Sequence, residues 1–378
     1  MSGFSKFALF CAVGLSAIST NAPLWAQDQD FGKPTGYFSL GVGYSERYGE
    51  TAFFTLSEEN LFGSGIGAHA GAEYNRLGYR LTLDFDKEIA LPFQAFGVSP
   101  LLDVSLYFDD LSWQDSSYNN RRLGLDADLL FPLRSNTLIS IGYMVYSDEI
   151  SDVHPDTSPL VAAEAGEQLN SGLTFGFQYD TTNTPIRPTK GVSLAFGARY
   201  AGLGGDTQKL ELTANGALYQ PLPYEGVLTA GFTAGNVRSL DGNAVRITDR
   251  AFLGNDLPRG FAFTGLGPRD ISGATNTALG GESYAAISLA TDFPISQTGS
   301  GTFYAGAFLE AGSVWNLQET AGGAMGIIDD EFHLRASFGL SLSWIGQYGE
   351  FRLSWANPYQ RESYDETQPI SISFTTSF

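Results

Sequence analysis

From residue 36 onward, apolar and polar residues alternate with a period of two. Tyr79, Leu81, Leu83 and Phe85 share one face, with Arg80, Thr82, Asp84 and Asp86 on the other. Leu173, Phe175, Phe177 and Tyr179 stand against Thr174, Gly176, Gln178 and Asp180. Leu334, Ala336, Phe338, Leu340, Leu342 and Trp344 oppose Arg335, Ser337, Gly339, Ser341 and Ser343, and Ile370, Ile372 and Phe374 oppose Ser371, Ser373 and Thr375. Successive strand side chains point to opposite faces, so this is the pattern of β-strands with one apolar face. The runs are long, roughly 10–15 residues against the ~5–6 common in soluble sheets. Many carry an aromatic near one end, as at Tyr44, Phe85, Tyr107, Tyr200, Tyr219, Trp315, Trp344 and Trp355.

The pattern predicts sixteen strands, at 36–45, 50–58, 65–76, 78–87, 98–109, 119–132, 136–148, 169–181, 190–201, 207–220, 225–238, 279–293, 301–315, 332–346, 349–358 and 368–378. Short turns follow the even strands (133–135, 221–224, 294–300, 347–348), and long connections follow odd ones (149–168, 239–278, 316–331). An even strand number, aromatic girdles and turns that are short at one end and long at the other describe a transmembrane barrel of the bacterial outer membrane. A soluble sandwich or β-helix is the weaker alternative. The fold expected is all-β: a 16-stranded antiparallel transmembrane β-barrel, residues 36–378.

Composition narrows this further. Only 16% of the 378 residues are charged, and there are 45 glycines, 28 phenylalanines and 18 tyrosines. Aromatic and apolar content this high argues against disorder. Lys+Arg is 21 against Asp+Glu 41, a net charge of −20, which leaves no basic stripe for nucleic acid. Lys6 precedes an apolar stretch from Phe7 to Ile18, a polar Ser19-Thr20-Asn21 and the break at Leu24-Trp25-Ala26. These are the parts of a cleaved secretory signal peptide, residues 1–26. A lipoprotein signal at Cys11 is rejected, because Phe10 stands where a small residue is wanted. Cleavage would remove Cys11, the sole cysteine, and leave a short N-terminal segment, 27–35, before the barrel.

The connection 239–278 is too long to be idle in a compact structure. It carries Pro258-Arg259-Gly260-Phe261 and then Gly265-Leu266-Gly267-Pro268-Arg269-Asp270. This resembles the sixth extracellular loop of the BamA superfamily of outer-membrane insertases, which folds back into the lumen and ends in a Val-Arg-Gly-Phe tip. Asn60 to Gly65, Tyr179-Asp180 through Pro188-Thr189-Lys190-Gly191, Leu279-Gly280-Gly281 at the start of the twelfth strand, and Phe308 through Trp315 resemble further family segments in the family's order. The resemblance covers roughly residues 36–378.

The resemblance implies that Arg259 meets acids on the twelfth and thirteenth strands. Glu310 falls where the family usually has Asp. The family's twelfth-strand Glu falls on Ala290, so Asp292, two residues on and on the same face, is the expected substitute. A guanidinium drawn into a lumen needs such a carboxylate, which it can bind bidentately. The final strand ends Phe374 to Phe378, and a terminal aromatic is shared by many chains that the assembly machinery recognises. The family is thought to insert clients through a weak seam between first and last strands, with local bilayer thinning. Gly36, Gly41 and Gly43 would soften pairing there.

Family insertases carry periplasmic polypeptide-transport-associated domains. Nine residues, 27–35, cannot form one, so the resemblance implies a barrel-only member and an accessory role in outer-membrane protein assembly or translocation. The alternative is a structural barrel or passive pore that kept the fold without insertase activity. Expected partners are outer-membrane lipid and lipopolysaccharide, unfolded outer-membrane protein clients and the assembly machinery. No enzyme, cofactor or metal site is expected: His69, His154 and His333 are scattered, and no Gly-x-Ser-x-Gly elbow occurs. The pairs Asp84/Asp86 and Asp126/Asp128 read as a polar lumen.

Overall fold

The computed structural model describes residues 36–90, 97–113, 118–185, 187–272, 275–323, 326, 328–346 and 349–377. The leader expected at 1–26, the segment 27–35 and Phe378 lie outside the described residues. The sixteen wall strands are β1 (Gly36–Ser45), β2 (Gly49–Glu58), β3 (Gly67–Asn75), β4 (Gly78–Glu88), β5 (Leu101–Trp113) and β6 (Tyr118–Arg134). They continue with β7 (Thr137–Ser151), β8 (Gly166–Asp180), β9 (Gly191–Gly205), β10 (Lys209–Pro221) and β11 (Val227–Ser239). The set is completed by β12 (Ser283–Thr298), β13 (Gly301–Trp315), β14 (Arg335–Gly346), β15 (Gly349–Gln360) and β16 (Ile370–Ser377). Every neighbour pairs antiparallel in chain order, and β1 pairs β16, so the sheet closes. Closure leaves no free edge sheet, the only way strands can cross a bilayer.

The alternation is resolved as the sequence predicts. On β14, Phe338 and Leu340 are 44% and 60% exposed while Ser337 and Ser343 are buried at 0% and 4%. A soluble sandwich would bury the apolar set. Here the apolar set faces outward and the serines face the lumen, the arrangement for strands bathed in lipid.

Most predicted strand boundaries shift, by up to five residues, and the two at the twelfth strand bear on the site. Strand β12 runs to Thr298 rather than stopping at 293, because a bulge between Pro294 and Ser296 absorbs the residue that cannot donate to the ladder. It also starts at Ser283, so Leu279-Gly280-Gly281 lies before the wall. Gly281 instead bridges Ala251 inside the loop, and a Cβ on it would meet the Trp315 carbonyl at 2.6 Å. That close approach explains the glycine.

The connection from β11 to β12 enters the lumen, where Arg259 reaches Glu310 on the wall. It contributes a hairpin of Arg269–Ser272 with Thr275–Ala278, and a two-residue strand, Gly260–Phe261, that pairs with Thr367–Gln368 from the β15–β16 connection. The buried apolar side chains gather around it. One cluster joins Ile247 and Leu279 to Tyr118, Ile150 and Val161, and another joins Leu253, Phe261 and Leu266 to Ala286 and Val314 on the wall.

Candidate functional site: the lumenal loop and the seam

Phe261 is fully buried and anchors the loop tip, while Gly260 before it has φ +95°. A Cβ at Gly260 would come within 3.0 Å of the Ala356 Cβ and 3.6 Å of the Ser337 Cβ, so both backbone sign and space demand glycine there. Pro258 packs against the wall at Gly312, where an added Cβ would stand 3.3 Å from its Cδ. Held between these contacts, Arg259 turns to Glu310 on β13. Its Nε and Nη2 donate to Glu310 Oε1 at 3.0 and 2.6 Å, and its backbone N–H donates to Oε2 at 2.7 Å. The guanidinium also lies over the Phe308 ring, 3.4 Å from the centroid. Glu310 is 2% exposed. A carboxylate so buried is tolerable only when its oxygens are satisfied.

The second acid is not where the resemblance put it. Asp292 sits opposite Gly306, two lumen-face steps from Glu310, and takes no part in the Arg259 contacts. Register decides this: Ser288, not Asp292, pairs with Glu310, and its Oγ donates to Glu310 Oε1 at 3.1 Å. A hydroxyl donor supports the carboxylate where a second acid would have competed for the arginine. Ser337, the other cross-strand neighbour of Glu310, keeps a buried Oγ without a partner among the described residues.

A second anchor, invisible in the sequence, holds the start of the loop. Arg246 Nη1 donates to the Asp148 carbonyl (2.8 Å) and carboxylate (3.2 Å), and its Nη2 donates to the Glu164 and Gly166 carbonyls at 2.5 and 2.6 Å. Asp148 on β7 also receives Arg122 at 3.0 Å and Thr248 Oγ1 at 2.7 Å. Arg250 Nη2 meets Glu164 at 2.5 Å, and Asp249 pairs with Lys209. Burial alone would raise the Asp249 carboxyl, but Lys209 and Arg122 beside it reverse the effect and hold it below the usual range. Burial dominates at Glu164 and pushes its carboxyl up, despite Arg250. The Arg246/Arg250 spacing is in the sequence, yet nothing local marks Asp148 as its partner 98 residues away. Farther along the loop, Arg269 donates to the Thr264 carbonyl and to Glu366 at 2.5 and 2.6 Å.

The seam is built differently. Among the described residues five pairs join β1 to β16, Gly41–Ser45 with Ser373–Ser377, whereas β6 and β7 pair from Asn119/Ser151 to Arg134/Thr137. On the seam side, Gly36–Leu40 of β1 has no partner among the described residues. At the other end, past Ser45, the Ile372 N–H is capped by Glu46 Oε1 at 2.5 Å. Phe374 sits in the ladder between Tyr44 and Phe351.

A closed sixteen-stranded barrel whose lumen is occupied by an arginine-locked loop defines an outer-membrane β-barrel protein. The chain belongs to the Omp85 superfamily, whose domain matches residues 60–378. Among curated relatives it is similar to the outer membrane protein assembly factor BamA of Neorickettsia risticii (strain Illinois), 25% identical over 348 residues, covering 92% of this chain and 45% of that protein. It is also similar to the human sorting and assembly machinery component 50 homolog, 27% identical over 263 residues, covering 68% of this chain and 55% of the relative. The chain thus spans about half the length of the curated relatives it matches. The crystal structure of BamA from Haemophilus ducreyi lacking POTRA domains 1–3 has the same fold, with a TM-score of 0.76 at 21% identity over 92% of this chain and 71% of that one.

Proposed function

We propose that this barrel takes part in the assembly or insertion of outer-membrane proteins, with the β1–β16 seam as the place where a client strand is received. The supporting observation is the five-pair ladder, which among the described residues leaves the Gly36–Ser39 seam edge without a wall partner and so available to an incoming strand. An unpaired strand edge is a template for β-augmentation, with main-chain hydrogen bonds supplying affinity. Unfolded barrel clients would be its partners from the periplasm, assembly machinery would deliver them, and lipid and lipopolysaccharide would surround the wall. A passive pore is less well supported, since the loop occupies the lumen.

The test is to close the seam covalently. Gly43 and Thr375 are register partners, so Gly43→Cys with Thr375→Cys places two thiols across the ladder. Oxidised cells should lose other outer-membrane barrels and recover them on reduction. Unchanged barrel levels under full cross-linking, or after depletion of the protein, would refute the assembly role.

A further inference from the structure

In the connection between β8 and β9, residues 181–185 and 187–190 are braced against each other. The Asn183 side-chain Oδ1 accepts from the Thr189 and Lys190 N–H groups at 3.0 and 3.2 Å, and Thr184 Oγ1 donates to the Arg187 backbone carbonyl at 2.8 Å. It does not stay against its own strands. The Arg187 guanidinium lies 3.3 Å from the centroid of the Tyr304 ring on β13, four strands further round the wall. Tyr304 shares the lumen face of β13 with Gly306, Phe308 and Glu310, so the turn reaches inward across the short-turn mouth of the barrel.

That contact is finely balanced. A guanidinium over a tyrosine face is held by the ring quadrupole. Against it, the Arg187 Nη1 is buried with no hydrogen-bond partner, and no ion pair involves Arg187 among the described residues. An orphaned buried donor costs about as much as such a stack gains. We infer that residues 181–185 and 187–190 form a strap that closes the lumen at the short-turn end, pinned by Arg187 on Tyr304 and poised to swing away. The lumen is then shut at both ends by separate devices: a strong ion-paired lock on the long loop and a weak stack on this turn.

Asp292 provides a reporter just inside the strap, because register sets Pro294 opposite Tyr304 and Asp292 opposite Gly306, one lumen-face step deeper. In a Cys11→Ser background, Asp292→Cys in the folded full chain is labelled with a bulky polyethylene-glycol maleimide, and the rate is read on gels. Tyr304→Leu removes the ring but keeps the orphan donor, and should speed labelling by about 5- to 30-fold. Arg187→Ala removes both the stack and the orphan, so its increase should be smaller. Tyr304→Trp, a better ring for a cation, should slow labelling below the starting protein. Equal rates in all four proteins, each migrating as a folded barrel, would overturn the strap. So would a starting rate already equal to that of the heat-unfolded chain. Arg187 is on a turn and outside the wall, so its variant keeps the test informative if a Tyr304 variant misfolds.

Discussion

The β1–β16 seam and the β6–β8 wall are made of the same alternating strands, yet they are stabilised in different ways. Strands β1 to β4 are 10, 10, 9 and 11 residues long, whereas β6 to β8 are 17, 15 and 15. At about 3.4 Å per residue, the second group stands well above the first. The tall wall also carries Asp148, which gathers Arg122, Arg246 and Thr248 and so fastens the loop to it. Among the described residues the seam shows the Glu46 cap as its side-chain device. A single chain has placed its strongest polar network on one side of the lumen and its shortest ladder on the other. Rigidity is concentrated where the loop must be held, and pairing is thinnest where the wall closes.

The largest expected effect breaks the strong side. Asp148→Ala takes away the carboxylate shared by Arg122 and Arg246 in a buried site and should cost about 3–5 kcal/mol, the range for removing one partner of a buried pair. Heat-resistant migration on cold gels should be lost or shifted to much lower temperature. Arg259→Ala comes next, at about 2–3 kcal/mol, since Glu310 would still accept from Ser288 and a backbone N–H. Limited proteolysis should then cut within 240–282, and unchanged protease resistance would remove Arg259 from any stabilising role. A double-mutant cycle with Glu310→Ala measures the pair directly.

A pH experiment probes how the loop is held on the strong side. Asp249 binds its proton more weakly when docked than its ordinary value of 3.8. Its contribution is therefore fully present above that value and is lost as pH falls through the lower, docked one. Acidification below about pH 4 should raise hydrogen exchange in 240–282 before it changes the β6–β7 ladder, and Asp249→Asn should abolish that acid-specific step. Glu164 acts in the opposite sense, because its raised carboxyl makes docking easier when protonated. A loop that tightened monotonically on acidification would show Glu164, not Asp249, in control.

The smallest effect lies at the seam. Glu46→Ala frees the Ile372 N–H and should cost about 1 kcal/mol or less. Faster amide exchange confined to 370–377 and 41–45 is the expected readout. Seam amides as slow as those of β6–β7 in the unaltered protein would erase the contrast itself.

The wall was legible because its signal is local. Period-two alternation in segments such as 334–344 marks a strand without reference to its partner, and each of the sixteen wall strands overlaps a predicted segment. The lock was half legible. Arg259 and Glu310 stand in motif-bearing segments, but Ser288 owes its place to the offset between β12 and β13, a property of pairing rather than composition. Asp292 shares that face, yet it lies four residues along β12 from Ser288, an offset of roughly 14 Å. Asp148, Arg246 and Glu164 left no trace because their convergence depends on three separate segments of the chain. Pro294 shows the same limit in the backbone: a proline suggests a strand end, while the ladder accommodates it with a bulge.

The pairing of Gly260–Phe261 with Thr367–Gln368 also ties together things that are distant in function. Only Pro369 separates Gln368 from Ile370, the first residue of β16, and the Pro369 carbonyl is itself held by the Ala356 N–H at 2.8 Å. The loop tip is consequently hitched to the closing strand through a link one residue long. It has too little slack to absorb a sliding movement of several ångströms, so the tip cannot be withdrawn as a free plug. Withdrawal must either unzip this short pairing or drag the upper end of the last strand with it, which makes the loop a drawstring on the barrel's own closure.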